Sequence, residues 1–325
     1  MEAQSAKITD IPPDDIQMEL WELETVLDLS IPFKKLDRNV LIGTWNIRSF
    51  GGLTEKWLAA SSDSPKRDLH SLLAISRIIS RFDIVALQEI KGNLKALRHM
   101  LKVLGDHWSF ILTDVCGGAE GNDERLGFLF DTRKVKLSGL ACELVVPNEK
   151  VESIEEGAFS RQFARTPYAV GFQVGNKTFV LVTLHVLYGK SPVDRMGELQ
   201  GIALWMKNWA TQMHAFDHSL IILGDFNIDR REDPRYQAFV STGLTVPEDL
   251  WEVRRTVFDN STKYYTQIAW FENHLHIPQL SIRYLKGGLF DFGPHVLKER
   301  KLTPFQLSWR ISDHLPLWTE FSTSD

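Results

Sequence analysis

The chain has 325 residues, 43% hydrophobic and 24% charged, which is ordinary globular usage and excludes intrinsic disorder as its main state. With 37 basic against 42 acidic residues the net charge is −5, which argues against a protein held on nucleic acid by bulk positive charge. It leaves open a site that meets phosphate through a bound cation.

The length accommodates two domains of about 150 residues or one large α/β domain. Residues 1–14, with Pro12 and Pro13 adjacent, are polar and without hydrophobic rhythm, and read as a tail. They lack the basic and apolar regions of a secretory signal, and no stretch approaches the roughly 18 apolar residues of a membrane span. Cys116 and Cys142 permit at most one bridge. The expectation is a soluble, cytoplasmic protein, with a secreted chain whose signal has been removed as the alternative.

From Asp15 to Leu29, the spacing of Ile16, Leu20, Leu23 and Leu27 predicts a helix with Asp14 or Asp15 as its cap. Its other face is acidic (Glu19, Glu22, Glu24), and the expected packing is on its own domain. Short apolar runs follow at 40–47, 83–89, 126–130, 179–185, 220–227 and 315–321, of a length suited to strands buried on both faces. Gly175-Asn176 predicts a hairpin turn. Helical patterns occupy 69–82, 93–104 and 193–213, the last after Ser191-Pro192. Loops are expected at 51–66, 116–124 and 147–164, whereas 245–288 has weak periodicity and receives no assignment.

Polar residues gather at the ends of these strands: Asn46, Glu89, His185, Asp225 with Asn227, and Asp313 with His314. Taken singly, each has a plain structural explanation as a turn residue, a helix start or a satisfied core imidazole. Strand ends in layered sheets converge on one rim, however, where loops carry sites on a rigid scaffold. Carboxylates and amide oxygens there suit a hard cation such as Mg²⁺, Mn²⁺ or Ca²⁺, and histidines suit proton transfer.

The segments TWNIRSFGG, ALQEIK, DERLGFLFD, ARTPYAVGF, VTLH, LGDFN and SDHLP, in this order, resemble the successive motifs of the endonuclease/exonuclease/phosphatase superfamily. The pattern is most similar to the deoxyribonuclease I branch and runs from about Val40 to Phe321. The resemblance implies an α/β fold: a four-layered sandwich of two mixed β-sheets packed face to face, with helices outside. It implies one domain over 37–325, preceded by a tail and acidic helix over 1–36.

It also implies a divalent-metal-dependent phosphodiesterase, foremost a DNA endonuclease. Glu89 would hold the cation, with Asn46 and Asp313, Mg²⁺ being the expected ion. Asp225 and Asn227 would position the attacking water or bind phosphate, and His185 and His314 would form the acid–base pair. Glu124 matches the carboxylate partner of the first histidine. Asp291, in LFDFG, matches the partner of the second, although the family's tyrosine–aspartate pair is replaced there by Phe290-Asp291. Arg165 matches an arginine that engages substrate phosphate, and Lys91 a basic residue that reaches toward the minor groove.

Asn122 departs from the pattern, standing where the nuclease branch stacks a tyrosine. Arg230 and Arg231 follow GDFNID closely enough to contact phosphate or to be a plain surface pair, and 54–67 is insertion-like beside the rim. Two other functions remain: a phosphatase or sphingomyelinase-type phospholipase of the same fold, for which an apolar hairpin within 265–290 would be the mark, and a scaffold binding a partner through the N-terminal helix.

Overall fold

The computed structural model describes residues 5–145, 163–188, 192–212, 219–258, 263–272 and 279–324. The helix at the start is α1 (Asp14–Ser30), and the first strand, β1 (Asn39–Phe50), shows why the layers form. Val40 and Ile42 enter the core between the sheets, while Leu41, Trp45 and Ile47 enter a second core beneath helices. A strand buried on both faces is written as an unbroken apolar run.

The same logic continues through α2 (Leu69–Ile79), β2 (Ile84–Lys91), α3 (Lys95–Leu104) and β3 (Trp108–Leu112). A single turn, α4 (Gly118–Gly121), leads to β4 (Glu124–Asp131), β5 (Val135–Glu143), β6 (Tyr168–Val174) and β7 (Lys177–His185). Next come α5 (Pro192–Thr211), β8 (Leu220–Asp225), α6 (Pro234–Val240) and β9 (Leu244–Thr245). The chain closes with β10 (Thr266–Phe271), β11 (Arg283–Leu289), α7 (Pro304–Ser308) and β12 (Leu317–Ser322).

Two six-stranded sheets result, ordered β11-β12-β1-β2-β4-β3 and β5-β6-β7-β8-β10-β9. Each is mixed, with one parallel pair, β1–β2 in the first and β7–β8 in the second, among antiparallel neighbours. Helices α1, α2 and α3 supply apolar residues to the core on the first sheet's outer face, and α5 and α6 pack with the second sheet. This is the four-layered sandwich expected from the motifs.

Helix α1 buries Ile16, Leu20, Leu23 and Leu27 in the same core as β1. Pro13, not an aspartate, is its N-cap; Asp14 and Asp15 fall in the first turn, where the helix dipole favours them. Glu19 is also buried, because its carboxylate lies 2.9 Å from His70 Nε2 and accepts backbone N–H bonds from Leu297 and Lys298. The β6–β7 turn uses Gly175 at φ 59°, the positive angle a two-residue hairpin needs at its first central position. Both cysteines are free.

The weak periodicity over 245–288 has a simple cause: its strands are short and belong to different sheets. β10 lies in the second sheet and β11 edges the first, so the two do not form an apolar hairpin with each other. Residues 273–278, most of the predicted loop at 147–164, and Met213 lie outside the described residues. No helix among the described residues is long and apolar enough to cross a membrane.

Topology places the polar strand ends at one rim. His185 and Asp225 end parallel neighbours and stand opposite each other. The antiparallel strands begin where these end: Thr266 pairs with Asp225, and Glu124 with Lys91.

Candidate active site

Two irregularities aim side chains into the rim. Pairing between β1 and β2 slips after Asn46, and that between β2 and β4 slips between Leu87 and Ile90. At the slips, Ser49 and Glu89 take φ values of 47° and 61°, a left-handed conformation that is costly for side chains and collects at functional sites. The Glu89 carboxylate, so turned, accepts from Ser49 N at 2.8 Å and Asn46 Nδ2 at 3.1 Å.

Asp225 is the centre of the constellation. Its Oδ2 accepts from Asn46 Nδ2 at 2.9 Å and lies 3.6 Å from His185 Nε2 and 3.4 Å from His314 Nε2. Its Oδ1 accepts from Asn227 N at 3.0 Å. The preceding Gly224 is required, because its φ is 142° and a Cβ there would sit 2.1 Å from Leu184 O. Gly224→Ala is therefore expected to cost at least about 2 kcal/mol in urea unfolding; an unchanged midpoint would contradict the strained turn.

His185 Nδ1 lies 3.0 Å from Glu124 Oε2, the partner expected for the first histidine. Burial alone would raise the Glu124 pKa, but the hydrogen bond with His185 and the charges of His185, Arg165 and Lys91 outweigh it and hold the pKa at about 2. A depressed carboxylate stabilises the folded chain above its ordinary pKa of 4.5, and that contribution disappears as pH falls toward about 2. Acid unfolding should accordingly lose roughly 3 kcal/mol through this window. Glu124→Gln should flatten the stability–pH slope there, and an unaltered slope would count against the assignment.

Arg165 and Lys91, expected to reach the substrate, both lie against Glu124, Arg165 Nε at 2.9 Å and Lys91 Nζ at 3.1 Å. Arg165 Nη1 is buried without a hydrogen-bond partner among the described residues. Asn122, in the place of the tyrosine, also binds Glu124 through its side chain. Lys91 further donates to Asn122 O at 2.8 Å.

Asp291 is a correction. Phe290 and Phe292 are buried on either side of it, which turns the aspartate outward to pair with Arg254 Nη1 at 3.1 Å and to accept from Gly293 N at 3.0 Å. His314 Nδ1 instead faces the Thr266 hydroxyl at 3.4 Å, with the Tyr265 ring 5.7 Å from the imidazole. A hydroxyl, not a carboxylate, thus stands beside Nδ1 of the second histidine, and the YYTQI segment that supplies it offered no carboxylate to find. Burial would lower the His314 pKa, but the carboxylates of Asp225, Asp313 and Glu89 overcome it and hold the pKa above the ordinary histidine value.

Asn227 donates Nδ2 to Val186 O at 2.7 Å, so its side chain fastens the loop after His185. Two buried residues of α5 complete that fastening. Arg195 Nη1 donates to Asn227 O at 2.8 Å, and Glu198 accepts from Leu187 N and Ala164 N, each at 2.9 Å. Their spacing on one helical face was the only sequence signal for them. Arg48, two residues after Asn46, was also missed; its Nη1 lies 3.9 Å from Asp313 Oδ2. Arg231 lies over the Trp251 ring at 3.3 Å, and Arg230 is exposed.

The donor set fits a hard divalent cation. Among the described residues, Asn46 Oδ1 and Asp313 Oδ1 are buried without a hydrogen-bond partner, and Glu89 supplies a carboxylate. Glu89, Glu124 and His185 also offer ligand atoms within 4.8 Å of one another. Of these, Glu124 is already engaged by three other side chains besides His185, which leaves the unpartnered oxygens of Asn46 and Asp313, with Glu89, as the less committed donors.

Fold and site together define a centre of acid–base side chains and hard oxygen donors at the rim of a two-sheet sandwich. The model of the Endonuclease/Exonuclease/phosphatase family matches residues 43–282, and the chain belongs to that family. It is 25% identical over 293 residues to a protein named Deoxyribonuclease from Thioalkalivibrio sp. (strain K90mix), covering 86% of this chain and 70% of that one. It is 25% identical over 200 residues to Deoxyribonuclease-1 of Bos taurus, covering 60% of this chain and 63% of the relative. Among solved structures it is similar to a mannosyl-6-phosphatase of Bacteroides thetaiotaomicron, with TM-score 0.56 and 17% identity over 87% of this chain and 99% of that one.

Proposed function

We propose that the protein is a phosphodiesterase that hydrolyses DNA with a divalent cation, Mg²⁺ in the first instance. The observation that carries this reading is the approach of two imidazoles, His185 and His314, to one oxygen of Asp225 beside the Asn46–Glu89 pair. The names of the two sequence relatives support DNA as the substrate.

Glu89, Asn46 and Asp313 would hold the cation, which when bound neutralises charge on the phosphate oxygens. His185 donates its Nδ1–H to Glu124, which leaves Nε2 to take a proton from water; a carboxylate-oriented imidazole is the stronger candidate for this task. Asp225, whose Oδ2 lies 3.6 and 3.4 Å from the two Nε2 atoms, would orient that water. His314, with a hydroxyl rather than a carboxylate at Nδ1, faces the leaving oxygen and supplies its proton.

Supercoiled plasmid incubated with the protein and Mg²⁺, with and without chelator, tests the proposal beside inositol phosphates and sphingomyelin. Chelator-sensitive nicking is expected. Release of phosphate or phosphocholine without nicking would assign the chain to the phosphatase or phospholipase alternative.

A further inference from the structure

Phe305 and Trp309 are 60% and 40% exposed, although they stand only nine and five positions before His314. Single exposed apolar residues are common on proteins, but these two rings form an edge-to-face pair, with centroids 6.4 Å apart at 79°. The Arg48 guanidinium lies 3.9 Å from the Trp309 ring and 5.7 Å from that of Phe305. Its Nη1 donates to Ser308 Oγ at 2.7 Å and is 3.9 Å from Asp313 Oδ2. A planar cation thus joins an open aromatic surface to the acidic rim.

The surface is also rigid. Helix α7 begins with Pro304 and a reciprocal capping box between Thr303 and Gln306. The buried Arg67 guanidinium donates to the carbonyls of Arg48, Ser49, Arg310 and Ile311, which ties the end of β1 to the segment following Trp309. Burial lowers the Arg67 pKa to about 10, which leaves it charged at neutral pH. Ser312 Oγ donates to Asn46 O at 2.6 Å and accepts from His314 N at 3.1 Å, so platform and site share one backbone frame.

We propose that Phe305 and Trp309, braced by Arg48, stack an unpaired base of the nucleic-acid strand whose backbone lies across His314. This inference rests on the phosphodiesterase reading for the position of the backbone. A base within a duplex has its faces covered by neighbours, whereas a single-stranded or splayed base offers a face to an aromatic ring. The nearby guanidinium favours the adjoining phosphate. Asn122, next to the His185–Glu124 pair, binds Glu124 and contributes no ring, which leaves the aromatic surface beside Arg48 to stack a base.

The test uses the full chain with His185→Ala, which slows cutting by orders of magnitude, in Mg²⁺ buffer, with binding read before turnover. Its probes are a labelled short single-stranded DNA, a strand of equal length with abasic sites in place of bases, and the corresponding duplex. The single strand should bind about 10-fold more tightly than the abasic strand. Adding Phe305→Ala should abolish that advantage without changing abasic-strand affinity, and Phe305→Tyr should restore it. Melting curves confirm folding of each variant. Equal binding of the intact and abasic strands, an advantage that survives Phe305→Ala, or tighter binding of duplex than single strand would overturn the proposal. Base-dependent binding without plasmid nicking by the native chain would retain the platform and remove the nuclease reading; nicking without base-dependent binding would do the reverse.

Discussion

Replacement of His185 by alanine is expected to slow DNA nicking by roughly 10²–10⁴-fold, the usual worth of a positioned acid–base group. The side chain has no substitute at its position: Nδ1 is engaged by Glu124, and Nε2 faces Asp225 at 3.6 Å. His314→Ala should produce a loss in the same range, because it deletes the only other imidazole approaching Asp225 among the described residues. The double variant should lose much less than the product of the two, since groups that act as one unit are strongly non-additive. Glu124→Gln should retain more activity than His185→Ala, because it leaves the imidazole in place and removes only the charge that orients it. Single-turnover nicking measures all four. Wild-type rates in either histidine variant would refute the proposed mechanism.

The second large effect concerns the cation. Glu89→Gln halves the carboxylate charge available with Asp313, and it should raise the Mg²⁺ concentration needed for half-maximal nicking by roughly 10–100-fold. Direct titration of the substrate-free protein with Mn²⁺, followed by electron paramagnetic resonance, should show the same weakening without reference to turnover. The comparison with Glu124→Gln separates the two ligand sets. If Glu89, Asn46 and Asp313 hold the ion, Glu124→Gln leaves the Mn²⁺ titration nearly unchanged. Equal weakening by both substitutions would place Glu124 and His185 among the ligands instead.

Much of this site was legible from the residues. Asn46, Glu89, Asp225 and His314 were expected at one rim because each borders a short apolar strand, and strand ends in layered sheets converge. The pairing of His185 with Glu124 followed from the family resemblance, and the geometry contains it at 3.0 Å. What failed was orientation. Asp291 sits in a motif-like segment, yet the burial of both flanking phenylalanines turns it toward Arg254. Thr266 carried no signal, because a hydroxyl in an apolar strand has nothing to mark it until β10 pairs with β8 opposite Asp225.

Helices α1, α2, α3 and α5, the long buried strands, the hairpin at Gly175 and the chemical character of the rim were readable from local periodicity, and the class of fold from the family's motifs. Strands β3, β5, β9, β10 and β11 were not, because strands that are short or lie at a sheet edge carry no unbroken apolar run. Tertiary structure alone decided which charges meet. Arg165 and Lys91 were free cations on paper, and in the fold they close on a single buried carboxylate. Arg67 read as part of an insertion-like loop, yet it binds carbonyls from segments more than 200 positions apart. The physical reason is the same in each case. A buried charge takes whichever partner the packing brings within hydrogen-bond reach, and that distance is set by sheet register and strand bulges, not by neighbours along the chain.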